Sequence, residues 1–392
     1  MIPLRTPLQR ALLCSAGTGI VPRRHITVFG YTQAKALIFS DHGQPKDVLK
    51  LHSHSISPAY GDEITVRFLA APINPADINQ IEGVYPSKPA FTTALGTLIP
   101  HAVPGNEGAV QVLSIGSSVT GFAPGDVAIM RHTAFGTWRT HATARSSDLL
   151  KIPKSPSIIT PLQAATVSVN PCTAYRLLKD FVPLQPGEWF VQNAANSGVG
   201  RAALQFGRIW GLKSVNVVRH REGVEELKRE LRELGGGGEA GTVVLTDQEL
   251  GDPERRKEVV ERMDGKGAML GLNSVGGKAG IDLCKLLDTG GHLVTYGAMS
   301  KKPLTLGASL LIFKDLHFHG FWVSRWSDRH PAEREAMLEE IFRYIASGEL
   351  KDAPMEITVW KRDTNGEELR AAIERSVQGF GGKKQIFVFE DE

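Results

Sequence analysis

The sequence predicts an α/β protein in which a doubly wound parallel sheet is combined with a second, β-rich domain. Its 392 residues are enough for two domains, at roughly 100–200 residues per domain. Strand-like segments fill residues 34–156, whereas strands and helices alternate from residue 173 to residue 323. Such alternation is typical of βαβ units, whose strands lie side by side in a parallel sheet. We therefore expect β-rich residues 31–172 and 325–392 to flank a parallel-sheet domain at 173–324.

The individual elements can be read in chain order. Short strands separated by Gly and Pro predict a largely antiparallel or mixed sheet in the first half: AKALIF, EITVRFLA, GAVQVLSIG and GDVAIM. Five further strands are each followed by a helical or turn pattern: EWFVQNAA, KSVNVVRH, GTVVLT, AMLGLNSV and GHLVTYG. After Pro331 a long amphipathic helix, then a helix and a strand, close the chain.

The composition argues against several classes of protein. A net charge of +3 gives no reason to propose nucleic-acid binding. No apolar run reaches the roughly 20 residues that a membrane-spanning helix needs. The three cysteines, Cys14, Cys172 and Cys284, are far apart and form no CxxC pair. A disulfide framework and a Cys-rich zinc cluster are therefore not expected.

The first residues differ from the rest of the chain. No Asp or Glu occurs before Asp41, while Arg5, Arg10, Arg23 and Arg24 are all basic. An acid-free leader that carries Arg is typical of a mitochondrial transit peptide. A secretory signal and an unstructured tail are the alternatives, but the apolar stretch is short and interrupted by Gly. We expect a transit peptide over residues 1–30 and a mitochondrial matrix location.

A glycine-containing turn follows the first strand of the parallel sheet, with the sequence Ala-Asn-Ser-Gly-Val-Gly at residues 195–200. It is a variant of GxGxxG in the Rossmann context, between an apolar strand and a helical pattern. Small residues let the backbone approach a pyrophosphate, which binds at the helix N-terminus. A purely structural turn is the alternative. The turn predicts a dinucleotide site.

The end of the second strand favours NADPH over NADH. Enzymes selective for NAD place an acidic residue about 20 residues after the glycine turn, bonded to the ribose 2′-hydroxyl. Here the segment reads Arg219-His220-Arg221, without an acid. Guanidinium groups can pair with a 2′-phosphate that a carboxylate would repel. The alternative is that both arginines are solvated loop charges.

A zinc site is not expected. The segment Gly105-Asn106-Glu107 is similar to the GHE motif of zinc alcohol dehydrogenases, but Asn106 stands in place of the metal-binding His. Asn is a poor zinc ligand compared with imidazole or thiolate. Without a metal, proton transfer needs another acid, and Tyr85 is the candidate because a phenol can donate a proton to a carbanion. Simple packing in the β-rich domain is the alternative role for Tyr85.

Several of these segments resemble the mitochondrial trans-2-enoyl-thioester reductases, zinc-free members of the medium-chain dehydrogenase/reductase superfamily. The resemblance spans the chain from about residue 33 onward and is carried by residues 73–89 (INPADINQIEGVYPSKP), 135–142, 168–175, 218–221, 296–299, 320–323 and 382–386. It implies a Rossmann domain joined to a GroES-like catalytic domain. It also implies NADPH-dependent reduction of enoyl thioesters in mitochondrial fatty acid synthesis, with hydride delivered to Cβ.

The resemblance also implies roles for particular residues. Tyr85 would be the proton donor. The cofactor-binding residues would be Asn170, Asn196, Ser197, Gly198, Val199, Arg219, His220, Arg221, Tyr296, Gly297, Ala298, Met299, Phe321, Trp322, Val323 and Lys384. The chain departs from the common pattern at Ala298, where glycine is frequent, and at His220, where aspartate is frequent.

The expected partners follow from this reading. An acyl carrier protein is acidic, so Arg325, Arg329 and Arg334 are candidates to dock it, although each can be an ordinary solvated charge. A homodimer is expected through an edge strand within residues 315–323. The alternatives are an NADPH quinone reductase of the same superfamily and a non-catalytic NADPH-binding protein. Phe135, Phe321 and Trp322 are candidate walls of an acyl pocket.

Overall fold

The computed structural model describes residues 30–152, 159–238, 241–379 and 383–390. The predicted transit peptide therefore lies almost entirely outside the described residues. None of the helices within them has the length and apolar character needed to cross a membrane.

The first part of the chain is mostly β-structure. Its elements are β1 (Thr32–Ile38), α1 (Pro45–Val48), β2 (Lys50–Ile56), β3 (Glu63–Pro72), α2 (Pro75–Ile81), β4 (Ala109–Ile115), β5 (Val127–Met130), β6 (His141–Arg145) and β7 (Leu149–Lys151). Two helices, α3 (Pro161–Thr166) and α4 (Asn170–Lys179), lead into the second part.

The second part alternates strands and helices. Its elements are β8 (Trp189–Asn193), α5 (Gly198–Ile209), β9 (Lys213–Val218), α6 (Val224–Leu234), β10 (Thr242–Thr246), α7 (Asp247–Gly251), α8 (Pro253–Arg262), β11 (Ala268–Asn273), α9 (Gly277–Leu283), β12 (Leu287–Thr295), α10 (Ala308–Ile312) and β13 (His317–Gly320). The chain ends with α11 (Val323–Arg329), α12 (Pro331–Ala346), β14 (Met355–Trp360), α13 (Gly366–Gln378) and β15 (Lys384–Phe389).

The alternating elements form a six-stranded parallel sheet with the order β10-β9-β8-β11-β12-β13. Strands β8 and β10 are buried along their whole length. Burial on both faces is what the continuous apolar runs of the sequence predict for a parallel sheet covered by helices. The order reverses direction at β8, as in a doubly wound fold. The predicted Rossmann sheet is confirmed, with β13 as a sixth strand at its edge.

The β-rich part forms a mixed seven-stranded sheet with the order β14-β15-β3-β4-β5-β7 and with β6 paired to β3. All its pairs are antiparallel except β14–β15. Strand β15, from the end of the chain, pairs with β3 from its beginning. Along the described residues, the chain therefore leaves the β-rich sheet, builds the parallel sheet and returns to the β-rich sheet.

The two sheets share one hydrophobic core. A single cluster of buried side chains includes Ala109 and Ile129 of the β-rich sheet together with Val199 and Phe206 of α5. Ile341 of α12 belongs to the same cluster. This buried apolar surface is therefore continuous from the β-rich sheet through α5 to α12.

One predicted docking residue is buried. Only 6% of Arg334 is exposed, and its guanidinium donates hydrogen bonds to the carbonyls of Met130 and Arg131, at 3.1 and 2.6 Å. These bonds tie α12 to the end of β5. The prediction that Arg334 meets an acidic partner is therefore wrong. Arg325 and Arg329, on α11, are exposed.

Candidate active site

The glycine turn lies at the carboxyl end of β8, where ligands bind in doubly wound folds. Ala194 has φ of +49°, a left-handed conformation in which the chain turns sharply after the strand. Ser197 caps α5 by accepting a hydrogen bond from the amide of Gly200 at 3.1 Å. A Cβ at Gly200 would lie 2.7 Å from the carbonyl oxygen of Ala194, so only glycine fits there. Asn196 and Val199 complete the turn.

A cleft next to this turn brings together residues that are distant in sequence and that are predicted to bind the cofactor. A Cβ at Gly198 would lie 2.6 Å from Asn170 Nδ2, so the amide of Asn170 lies directly against the turn. Asn170, Gly198 and Lys384 line one small cleft between the domains. A glycine cradle with an adjacent amide and ammonium group fits an anionic dinucleotide.

The three residues predicted to read the ribose phosphate follow β9. Arg219 and His220 are exposed, and Arg221 is partly exposed. The amide of His220 donates a 2.8 Å hydrogen bond to Asp247 Oδ1 at the start of α7. Sequence reasoning missed Asp247 because it follows the neighbouring strand, 27 residues later. Its carboxylate anchors the main chain between the two arginines.

Buried amides join the ends of three neighbouring strands. Asn193 Nδ2 donates to Asn273 Oδ1 at 2.8 Å, and Asn273 Nδ2 donates to Thr295 Oγ1 at 3.1 Å. Asn193 Oδ1 also accepts from the amide of Ser274. Sequence reasoning did not single out these residues, although Asn at the end of two buried strands was a usable signal. They fix the edge of the sheet from which Tyr296 projects.

The segment after β12 lies along the same edge. Burial raises the pKa of Tyr296 to about 12, and its hydroxyl is near Ser274 and Ser197. A Cβ at Gly297 would lie 2.9 Å from the carbonyl oxygen of Ser274. Ala298 and Met299 continue this turn, and the side chain of Met299 is exposed.

The aromatic residues after β13 point in different directions. Phe321 packs edge-on against Phe181, with ring centroids 6.1 Å apart. Trp322 packs edge-on against Tyr85, at 5.7 Å and an angle of 90°. Val323 is buried. The third candidate for an acyl-pocket wall, Phe135, packs on Phe68 inside the β-rich domain.

Tyr85 is a half-buried phenol held close to α2. Its amide donates a 3.1 Å hydrogen bond to the carbonyl of Asn79. Burial raises the pKa of Tyr85, the Asp77 carboxyl raises it further, and the Trp322 indole and Ser324 hydroxyl lower it in part. A phenol whose pKa lies above its ordinary value near 10 is neutral at physiological pH and can donate a proton.

A buried polar network lies where the similar zinc enzymes hold their metal. Glu107 accepts hydrogen bonds from Asn74 Nδ2 at 2.8 Å and from the amide of Val169 at 3.0 Å, and its carboxylate is 4.0 Å from Lys384 Nζ. Lys384 also donates to Asn74 Oδ1. Burial raises the pKa of Glu107 and lowers that of Lys384, whose mutual attraction opposes both shifts. Lys384 thus connects this network to the cleft that Asn170 and Gly198 line.

Burial raises the pKa of Asp77 to about 7, against the hydrogen bonds that it accepts from the Asn74 amide and from Asn106. Asn106 Oδ1 already accepts hydrogen bonds from Gln80 Nε2 and from the amide of Ala134. This oxygen is therefore not free to bind a cation. The described residues contain no group of three or more His, Cys, Asp or Glu side chains arranged to hold a metal ion.

The fold and this site define a nucleotide-dependent oxidoreductase of the medium-chain dehydrogenase/reductase class. Two family models match the chain: the alcohol dehydrogenase GroES-like domain at residues 60–154 and the zinc-binding dehydrogenase family at residues 198–343.

Individual proteins place the chain more closely. It is 42% identical over 361 residues to the mitochondrial enoyl-[acyl-carrier-protein] reductase of Schizosaccharomyces pombe, covering 91% of this chain and 94% of that protein. Two solved structures each match with a TM-score of 0.85 and 37% identity, over 91% of this chain and 99% of theirs. They are the mitochondrial 2-enoyl thioester reductase Etr1p/Etr2p heterodimer of Candida tropicalis and an Etr1p/NADP/crotonyl-CoA complex. The chain belongs to the family of mitochondrial enoyl-[acyl-carrier-protein] reductases.

Proposed function

We propose that this chain reduces trans-2-enoyl thioesters with NADPH and that Tyr85 is the proton donor. The observation that carries the proposal is a neutral, half-buried phenol packed on Trp322, in a chain of this family. The related complex with NADP and crotonyl-CoA supports the cofactor and the substrate class. Its relatives are mitochondrial enzymes, and so is this one.

The reaction divides between cofactor and protein. When bound, NADPH supplies the hydride that adds to Cβ of the substrate. Negative charge then builds on the thioester oxygen and Cα as an enolate. The Tyr85 hydroxyl transfers its proton to Cα, which completes the saturated thioester, and the phenolate regains a proton from solvent. The raised pKa of Tyr85 keeps the phenol protonated at rest, so a proton is available when the enolate forms.

The cofactor residues have separable tasks under this proposal. The turn capped by Ser197 holds the pyrophosphate at the N-terminus of α5, together with Asn196, Gly198 and Val199. Arg219 and Arg221 pair with the 2′-phosphate, with His220 between them. Asn170, Lys384 and the segments 296–299 and 321–323 contact the nicotinamide half. Tyr296 presents its buried hydroxyl to that half.

Replacing Tyr85 tests the reaction and the residue together. In Tyr85→Phe, turnover of a trans-2-enoyl thioester should fall about 10²-fold or more, because a positioned acid is lost. NADPH binding, measured by fluorescence, should be unchanged. Steady-state NADPH oxidation with the enoyl thioester and with a quinone provides the comparison. Turnover of quinone alone would instead identify a quinone reductase, and cofactor binding without turnover of either acceptor would identify a binding protein.

Removing both guanidinium groups tests whether Arg219 and Arg221 bind the 2′-phosphate of NADPH. In the double variant Arg219→Ala/Arg221→Ala, KM for NADPH should rise about 10- to 100-fold, the equivalent of one or two charge-assisted hydrogen bonds. KM for NADH should stay within about twofold. Arg229→Ala, an exposed change on α6, is the matched control. Equal effects on both cofactors would refute this role.

We also propose that α11 docks an acidic acyl carrier protein. Arg325 and Arg329 are exposed on this helix, directly after Trp322, so they lie beside the entrance to the site. The guanidinium of Arg325 lies 5.3 Å from the Trp322 ring. Opposite charge at the rim of an interface chiefly speeds association.

Charge reversal on α11 tests the docking proposal by comparing a carrier-protein thioester with a coenzyme A thioester. In Arg325→Glu/Arg329→Glu, KM for a carrier-protein thioester should rise about 10-fold at low salt, and the difference should shrink as salt screens the charges. The coenzyme A thioester controls for any disturbance of Trp322, and its KM should not change. Lys257→Glu, on exposed α8, serves as the charge control. Equal losses with both substrates would argue against docking here.

We propose, finally, that the chain forms a homodimer through β13. This strand ends the parallel sheet, and the end of the preceding α10 exposes Leu311, Ile312 and the C-cap residue Phe313 at 48%, 69% and 78%. Light scattering should give twice the chain mass, and Ile312→Asp/Phe313→Asp should give the single-chain mass. Leu98→Asp, which changes an exposed leucine elsewhere, should leave the dimer intact. A wild-type protein of single-chain mass would exclude the dimer.

A further inference from the structure

The amide of Asn106 uses its entire hydrogen-bonding capacity. Its oxygen accepts from Gln80 Nε2 at 2.9 Å and from the amide of Ala134 at 2.8 Å. Its nitrogen donates to Gln80 Oε1 at 2.9 Å and to Asp77 Oδ1 at 2.5 Å. A primary amide has two donor hydrogens and an oxygen with two lone pairs, so all four sites are used. Asn106 and Gln80 therefore form a reciprocal amide pair.

Gln80 connects this pair to the segment that carries Tyr85. The side chain is completely buried, and its Nε2 also donates to the carbonyl of Ser87 at 3.0 Å. Two residues before Ser87, the backbone amide of Tyr85 donates a hydrogen bond to the carbonyl of Asn79 in α2. The chain is thus held to α2 at Tyr85 itself and two residues beyond it.

We propose that Gln80, itself held by Asn106, is a positioning residue for Tyr85 in enoyl thioester reduction. This inference rests on the proposed function. Gln80 is completely buried, and it fixes Ser87 and so sets the position of the phenol. The amide pair provides this rigidity at the place where the similar zinc enzymes have a metal ligand.

The hydrogen-bond partners of Asn106 and Gln80 allow only one orientation of each side-chain amide. Rotating the Asn106 amide by 180° would place its oxygen against the Asp77 carboxyl oxygen and its nitrogen against the amide of Ala134, and rotating the Gln80 amide would place its oxygen against the carbonyl of Ser87. Low polarity strengthens each bond of such a network when it is complete. Losing the bond to Ser87 would release the segment after Tyr85. Displacement of a reacting group by about 1 Å can lower the rate about 10²-fold.

The test is a double-mutant cycle between Gln80 and Tyr85. Gln80→Met has a similar volume but makes none of these hydrogen bonds. With Tyr85 present, kcat for the enoyl thioester should fall about 10- to 100-fold, and KM for NADPH should stay the same. In the Tyr85→Phe background, the same change should lower kcat by less than about twofold, because a positioning residue has no effect once its target is gone.

Two further variants keep the result decisive. Gln385→Met removes another buried amide, bonded to Glu356 and Arg375, and should change the melting temperature without a comparable loss of kcat. Gln80→Asn, whose amide is too short to reach both Asn106 and Ser87, replaces Gln80→Met in the cycle if the latter does not fold. No loss of kcat, or an equal loss in both Tyr85 backgrounds, would overturn the proposal. A wild-type protein without enoyl thioester turnover would instead refute the proposed function.

Discussion

The buried carboxylate of Glu107 joins the two halves of the active site. One of its oxygens accepts from Asn74, next to the helix that leads to Tyr85, and the other accepts from the amide of Val169, next to Asn170. Lys384 supplies the opposite charge from the last strand. A buried charge that loses such partners is strongly destabilised, so the three segments have a single relative position. Tyr85, the proposed proton donor, and the cleft beside the glycine turn are therefore held in one frame.

The rest of the fold supports this frame. One hydrophobic core runs from the β-rich sheet through α5 to α12. Arg334 links α12 to the end of β5 by donating hydrogen bonds to the carbonyls of Met130 and Arg131. The return of β15 to pair with β3 places Lys384 beside Asn74. The polar network thus depends on the two-domain topology, because it contains residues that are far apart in the sequence, such as Asn74 and Lys384. Both the pKa of Lys384 and that of Tyr85 are shifted by the burial that this topology imposes.

Local patterns predict the architecture and the cofactor turn, because periodicity and glycine spacing express backbone geometry directly. They do not predict the polar network, since Asp77 and Gln80 look like ordinary helix residues and meet Asn106 only after folding. The same limit applies to Asp247, which accepts a hydrogen bond from His220 and lies just after the next strand, at the start of α7. This limit also explains why the docking prediction for Arg334 is wrong. An arginine on an amphipathic helix is expected to be solvated unless its carbonyl partners are known. The substitution of His by Asn at position 106 is visible in sequence, but its four hydrogen bonds are not. The roles of individual residues and the domain limits remain predictions.

The central claim is that Tyr85 delivers a solvent-derived proton to Cα after hydride addition at Cβ. The most direct test is to reduce a crotonyl thioester with unlabelled NADPH in deuterium oxide and to locate deuterium in the product by NMR. The account predicts one deuterium at Cα, on a single face, and none at Cβ. It also predicts that the residual product of Tyr85→Phe loses this facial preference. Deuterium at Cβ, or an unchanged facial preference in Tyr85→Phe, would contradict the account.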